Sequence, residues 1–313
     1  MKILMKTSRT TTEVFEDFII SKKAQGLAEK TIISYQAQFN AISRHLDVTI
    51  PIEELTKSDL NSMITSMREA ELASNSISSY VRVLKVFLSW CNDENITMLN
   101  MKAYKSEETI KETYSDNELQ KLLKKPNMRK CNFPEYRTWV IINLLLNNGC
   151  RAATVRNIKN KDVDLNNLVI YLRHTKSKKA QVIPLCSELC AILKEYMRIR
   201  GGQDDDYLFP NESGEQLTEY ALRSSISRYN KRRNVQKTSV HAFRHTFARK
   251  YLVDCGGNAF TLQRLLGHST LDMTKHYCAI FDADITKNYD NFSPLAQLKS
   301  NSNKIKMDRN RTR

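Results

Sequence analysis

Apolar residues recur at three- and four-residue intervals along most of this chain, the spacing that turns one face of a helix toward a core. Thr10-Thr-Thr-Glu13 puts a hydroxyl three positions ahead of a glutamate, which predicts a capping box. Val14, Phe15, Phe18 and Ile19 form the apolar stripe behind it. A second helix is expected from residue 27, with Ile32, Tyr35, Phe39 and Ile42 in register. Thr56-Lys-Ser-Asp59 opens a third, carrying Leu60, Met63, Ile64 and Met67, and Ser74-Asn-Ser76 opens a fourth, carrying Ile77, Val81, Leu84 and Leu88. Four amphipathic helices in about 90 residues predict a small bundle with its own core. The opposite face of the fourth helix holds Ser78, Ser79, Arg82, Lys85 and Ser89. Small and basic side chains in that order fit a major groove, with the cations on phosphates and the hydroxyls near base edges; on this helix alone the ordinary solvated face is the favoured reading.

Periodicity lapses over residues 99–113, which are polar and predict a linker. It resumes at Tyr114-Ser-Asp-Asn-Glu118, where Ser115 is the expected N-cap. Residues 137–148 are almost continuously apolar and end at Asn148-Gly149, a buried helix with its C-cap. Residues 168–172 and 180–185 read as two strands of an antiparallel ribbon, joined by the basic turn Arg173-His-Thr-Lys-Ser-Lys-Lys179. Helical spacing returns over 188–200 and 217–232, in a helix opened by His241, in a helix ending at Leu266-Gly267, in a short helix over 272–277 and in a final segment over 279–298. From residue 299 the chain carries Lys299, Lys304, Lys306, Arg309, Arg311 and Arg313 against Asp308 alone, the composition of a basic, disordered tail. The expected fold is therefore mainly α, in two domains: residues 1–98, then a linker over 99–113, then an α+β domain over 114–298 with one small antiparallel β-ribbon.

Composition narrows the partners. In 313 residues, 49 Lys and Arg face 34 Asp and Glu, a net charge of +15, which points to a polyanionic partner, usually nucleic acid, though a merely basic soluble protein carries the same balance. The seven cysteines (91, 131, 150, 186, 190, 255 and 278) form no CxxC pair and follow no regular spacing, which argues against a zinc module and a disulfide framework and for reduced, cytoplasmic thiols. The start has no signal-peptide pattern, and the longest strongly apolar run, residues 139–146, is too short to cross a bilayer.

The chemistry gathers late. His241-Ala-Phe-Arg244, Leu266-Gly-His268 and Tyr277 bring two imidazoles, a guanidinium and a phenol close together in sequence. Arginine and histidine offer donors to phosphate oxygens, and tyrosine offers an oxygen nucleophile. Singly each is weak: a lone histidine–arginine pair on a helix is more often a surface pair, and a lone tyrosine is more often packing. The ordered set, with Arg151 just past Gly149 and Lys176 in the basic turn, resembles the tyrosine recombinase (phage integrase) family over nearly the whole chain. Asn148-Gly-Cys-Arg151 stands where the family has Thr-Gly-x-Arg. The stretch from Lys176 to Val182-Ile-Pro-Leu185 is similar to the family's hairpin, with the lysine eight positions before Pro184. Val240-His-Ala-Phe-Arg-His-Thr-Phe-Ala248, Leu265-Leu-Gly-His-Ser269 and Thr274-Lys-His-Tyr277 are close to the remaining boxes, and residues 26–35 resemble the start of the N-terminal domain.

The resemblance implies a SAM-like helical bundle followed by the catalytic domain, and a site-specific DNA recombinase that works through a 3′-phosphotyrosyl intermediate, as the integrase of a phage or mobile element would. Tyr277 is the implied nucleophile, Arg151 and Arg244 the clamp on the non-bridging oxygens, Lys176 the acid that protonates the leaving 5′-oxygen, and His241 and His268 the hydrogen-bonding and proton-exchange partners. Neither metal nor other cofactor is implied. The implied partners are double-stranded DNA, further copies in a homotetramer on paired sites held through the C-terminal segment, and accessory directionality factors; the implied location is the nucleoid of a bacterial cell. Lys178 and Lys179 compete with Lys176, and with Arg173 they are candidate phosphate contacts. Tyr251 and Tyr289 compete with Tyr277. His245 and His276, beside motif residues, fit packing roles, and Cys150 and Cys278 fit small buried apolar positions better than redox sensors. About ten residues precede the first helix, too few for a further folded domain, so the two-domain form is expected. A type IB topoisomerase or telomere resolvase shares the chemistry, and a catalytically silent DNA-binding protein shares the scaffold. One departure stands out: the family often has an acidic residue three positions after the first arginine, and here that position is Thr154.

Overall fold

In a computed structural model the described residues are 9–106, 112–172, 181–268 and 270, and the chain divides into two compact units, residues 1–109 and 110–313. The first unit holds α1 (Thr11–Ala24), α2 (Glu29–Ile42), α3 (Lys57–Glu69) and α4 (Ser74–Asp93), the four helices that the apolar spacing predicts. Thr10 with Glu13 and Thr56 with Asp59 form the expected capping boxes, each satisfying two otherwise unpaired donors at a helix start. The core is aromatic. Phe15 and Phe39 stack with ring centroids 3.7 Å apart, and Phe87 meets Phe15 edge-on at 5.3 Å and Phe18 at 5.5 Å. Leu99 is buried in the same cluster, with Met101 and Tyr104 packed on it. The first part of the expected linker thus closes the bundle: three apolar side chains in a polar stretch are too sparse to register as periodicity.

The second unit is built round α6 (Phe133–Asn148), whose residues are buried on nearly every side, as expected of a helix apolar all round. It begins four residues before the apolar run, because Asn132 caps it by accepting from the Glu135 amide and Pro134 fits the first turn. Its one buried cation, Arg137, donates to the Pro210 carbonyl. Around it lie α5 (Asp116–Leu123), α7 (Ala152–Asn157), α8 (Ser187–Arg200), α9 (Glu219–Arg232), α10 (Val240–Arg249) and α11 (Ala259–Leu266). Ser115 caps α5 as expected, completing its box with Glu118.

The ribbon has three strands: β1 (Val163–Asp164), β2 (Val169–Leu172) and β3 (Gln181–Pro184), antiparallel in that order. Val163 pairs with Ile170, Ile170 with Ile183, and Leu172 with Gln181. A two-residue strand is too short to show alternation, so β1 has no signature in sequence. The sheet turns Ile170 and Ile183 into the core and leaves Tyr171 and Val182 exposed. Among the described residues no helix is long and apolar enough to cross a membrane.

Candidate phosphate site

Three helix ends converge in the second unit. The first is the C-terminus of α6, where Gly149 takes φ 61° and its amide closes the helix onto the Leu145 carbonyl. A Cβ here would lie 2.7 Å from the Phe247 ring and 2.9 Å from Leu266, so glycine is required both by the backbone and by the close approach of α10 and α11. The turn aims the Gly149 carbonyl at Arg244, which donates to it from Nη1 at 2.8 Å. Arg151, two residues on, occupies the N-cap position of α7 without a side-chain cap, which leaves its guanidinium free of the helix start.

The second is the start of α10. Ala242, Phe243, Arg244 and Thr246 are buried, while His241 faces outward three residues ahead of Arg244. Arg244, only 5% exposed, also donates from Nη2 to the Leu266 carbonyl at 2.9 Å and to His268 Nε2 at 2.7 Å. Phe243 anchors the helix by stacking on Tyr114 at 4.3 Å, and Thr246 accepts from the Tyr114 amide at 2.8 Å.

The third is the C-terminus of α11, which ends in a Schellman arrangement. The Gly267 amide donates to the Arg264 carbonyl, the His268 amide donates to the Gln263 carbonyl, and Gly267 is left-handed at φ 63°. That geometry delivers His268 to Arg244. It also leaves the last carbonyls of the helix pointing at cations: Arg151 Nη1 donates to Leu266 O at 3.5 Å and to Gly267 O at 3.4 Å. These contacts answer the departure at position 154. Thr154 lines a small cavity with Asn157, Lys159, Lys161 and Asp162. The Arg151 guanidinium is oriented by the carbonyl end of α11, whose helix dipole supplies the partial negative charge that a carboxylate would bring.

The electrostatics follow from this assembly. Guanidinium has no acceptor, so His268 Nε2 must accept from Arg244 and the ring proton sits on Nδ1. The His268 pKa is pulled down to about 4, by burial first and then by Arg244 and Arg151. His241 is also held below the usual imidazole range, first by the protein packed against it and then by Arg223, Arg244 and Arg151, with Glu219 opposing. Near neutral pH the site thus presents two guanidinium cations and two neutral imidazoles, an arrangement suited to a singly charged phosphodiester that gains charge as it reacts. Cys150 is buried, and burial pushes its thiol up to about 12, which agrees with a packing role. Tyr251 packs on Phe247 at 5.9 Å, and it lies in a π-helical turn (Lys250–Asp254) that prolongs α10.

Of the sequence-predicted site, the structure brings together Arg151, Arg244 and His268, with His241 on the adjoining face. Lys176, Arg173, Lys178, Lys179 and Tyr277 lie outside the described residues, as do Tyr289, His276 and Cys278. On α4, Arg82, Lys85 and Ser89 are exposed and Ser78 is half-buried. Ser79 differs from expectation: its hydroxyl donates to Gln38 at 2.9 Å and ties α4 to α2.

Two features escaped sequence reasoning. A groove of about 580 Å3 runs along α9 to His241, lined by Tyr220, Arg223, Ser224, Ser227, Arg228 and Lys231. Those positions recur at helical spacing, so a search for polar stripes finds them where a search for apolar ones does not. The other is Gln181, the first residue of β3. Its Nε2 donates to the Arg264 and Leu265 carbonyls at 2.9 and 2.8 Å. At the far end of that strand Asn147 of α6 donates to the Pro184 carbonyl at 3.1 Å and accepts from the Cys186 amide at 3.4 Å. Nothing in sequence pairs these residues.

Comparison with known proteins places this arrangement. Residues 112–283 match the phage integrase family, and residues 13–95 match the phage integrase N-terminal SAM-like domain. The chain is similar to tyrosine recombinase XerC of Staphylococcus aureus (strain bovine RF122 / ET3-1), 25% identical over 284 residues, which cover 88% of this chain and 94% of that protein. Among solved structures, the Tn1549 transposon integrase in complex with transposon right end DNA is matched with TM-score 0.73 at 19% identity, over 86% of this chain and 94% of that one. A lambda integrase tetramer bound to a Holliday junction is matched with TM-score 0.70 at 19% identity, over 87% and 78%.

Proposed function

The chain belongs to the phage integrase family and is a tyrosine-type site-specific DNA recombinase, and we propose that it cuts and rejoins DNA with Tyr277 as nucleophile and the Arg151–Arg244–His268 assembly as its phosphate clamp. The match to both domains, bundle included, favours a recombinase over a topoisomerase or a silent DNA-binding protein. The Tyr277 oxygen attacks the scissile phosphorus, the bond to the 5′-oxygen breaks, and a 3′-phosphotyrosyl ester remains. The leaving 5′-oxygen takes a proton from Lys176, and the phenol proton passes to the neutral imidazole of His241; His268, whose Nε2 already accepts from Arg244, is left to donate from Nδ1 to a phosphate oxygen. A 5′-hydroxyl reverses the steps and reseals the strand. The ester conserves the bond energy, so religation needs no nucleotide cofactor.

The observation that carries this reading is Arg244 and Arg151 converging on the C-terminus of α11, with a neutral His268 accepting from Arg244. The bundle's exposed Arg82 and Lys85, the hairpin cations Arg173, Lys178 and Lys179, and the α9 groove are the proposed duplex contacts. Residues 279–298 are the proposed docking segment between copies in a tetramer on paired sites, with accessory factors setting direction, and integration of a mobile element at the bacterial nucleoid is the proposed outcome. The test is a duplex nicked close to the cleavage point, which traps the ester. A denaturant-resistant protein–DNA adduct is expected, lost in Tyr277→Phe with DNA affinity unchanged. An adduct that survives in Tyr277→Phe rules out this nucleophile.

A further inference from the structure

We propose that Gln181 is a positioning residue for the phosphate clamp, acting through the carbonyl end of α11; the inference rests on the reading of Arg151 and Arg244 given above. Four consecutive carbonyls end this helix and its cap. Those of Arg264 and Leu265 accept from the Gln181 amide, those of Leu266 and Gly267 accept from Arg151, and Leu266 also accepts from Arg244. Gln181 therefore holds the first half of a carbonyl row whose second half holds the two arginines. The fit is close on both sides. A Cβ on Gly267 would come within 2.6 Å of Gln181 Oε1, so the glutamine amide lies directly against the glycine at the cap.

The strand under Gln181 is fixed as well. Its backbone pairs with Leu172 of β2, and Asn147 grips the other end of β3 from the C-terminal turn of α6, two residues before Gly149, whose carbonyl takes Arg244. The sheet is thus braced between the two helix ends that orient the guanidinium groups. A clamp that must meet developing charge in one geometry loses rate when its support shifts by a fraction of an ångström, while the charges that attract DNA stay in place.

Gln181→Met keeps the length and removes the donor, leaving the Leu265 carbonyl without its hydrogen bond. On a nicked duplex the single-turnover rate of adduct formation should fall by ten- to a hundredfold, on the order expected for a displaced catalytic group, at unchanged DNA affinity. Gln181→Arg, which returns donors and a cation to the same carbonyl end, should stay close to the wild-type rate. Two substrates separate the clamp from the leaving-group acid. A methylphosphonate at the scissile position carries less charge for the arginines to hold, so the gap between Gln181→Met and wild type should narrow on it. A 5′-bridging sulfur needs no protonation to leave, and the gap should persist on it.

An unchanged rate in Gln181→Met, an equally slow Gln181→Arg, or a defect erased by the bridging sulfur but not by the methylphosphonate overturns the proposal. A wild-type chain that forms no Tyr277-dependent adduct overturns the recombinase chemistry on which it rests, whereas an unchanged Gln181→Met overturns the positioning role alone.

Discussion

The bundle core and the phosphate site bury their side chains by opposite means. In the first unit Phe15, Phe18, Phe39 and Phe87 fill one another's surroundings, and any apolar group of similar shape would contribute comparably. In the second unit the group packed between helices is a guanidinium. Arg244 is as buried as Phe39, yet each of its partners is a specific acceptor: the carbonyls of Gly149 and Leu266, and His268. Such an arrangement tolerates no substitute, because a buried cation without its acceptors costs more than the same residue contributes when paired. Apolar packing sets how firmly the bundle folds, while in the second unit specific acceptors set where the two guanidinium groups lie.

Substitutions in the two regions should therefore separate stability from chemistry. The largest expected effect is in the bundle. Phe87→Ala removes a fully buried ring and should lower stability by about 3–5 kcal/mol in urea unfolding of the whole chain. The DNA-bound variant, assayed well below its unfolding midpoint, should keep its adduct-forming rate within about twofold, since the site lies in the other unit. A proportionate loss of rate breaks the separation.

Next comes Arg244→Lys, which keeps the charge but cannot reach two carbonyls, an imidazole and a phosphate at once. Adduct formation should fall by about 10²–10³-fold, the usual cost of removing a donor aimed at developing charge, with a smaller effect on stability. A variant that keeps full activity shows that charge alone suffices.

The smallest effect is in pH. His268 titrates at about 4 when folded against an ordinary value of 6.5. Between those values the unfolded chain binds the proton and the native chain does not. Stability should therefore fall as pH drops through that window and level off below it. His268→Gln still accepts from Arg244 but does not titrate, so its urea midpoint should move less between pH 7 and pH 5. Equal slopes in the two proteins would place the sensitivity elsewhere, His241 being the next group with a lowered pKa.

Both regions were partly legible beforehand, to different depths. All four helices of the bundle follow from the apolar stripe and two capping boxes, since helix periodicity and caps are local properties. The bundle's closing contact, Leu99 with Met101 and Tyr104, was hidden in a polar stretch. In the site, Arg151, His241, Arg244 and His268 were named from their motifs, but not what orients them. Position 154 looked deficient because an acidic neighbour was expected in sequence; the group that orients Arg151 instead lies more than a hundred residues further on. Backbone carbonyls have no letter in a sequence, so no reading of residue types finds them.

The sequence by itself thus determined most of the described helices, the order of the chemical groups and the glycines that end α6 and α11. Each depends on neighbours within a few positions or on a pattern of motifs. Only the tertiary structure decided that the two arginines share one helix end, that His268 accepts from Arg244 and so holds its proton on Nδ1, that Ser79 ties α4 to α2, and that Gln181 donates to the carbonyls of that same helix end. These depend on which surfaces meet, and a buried donor takes whatever acceptor the packing brings to it.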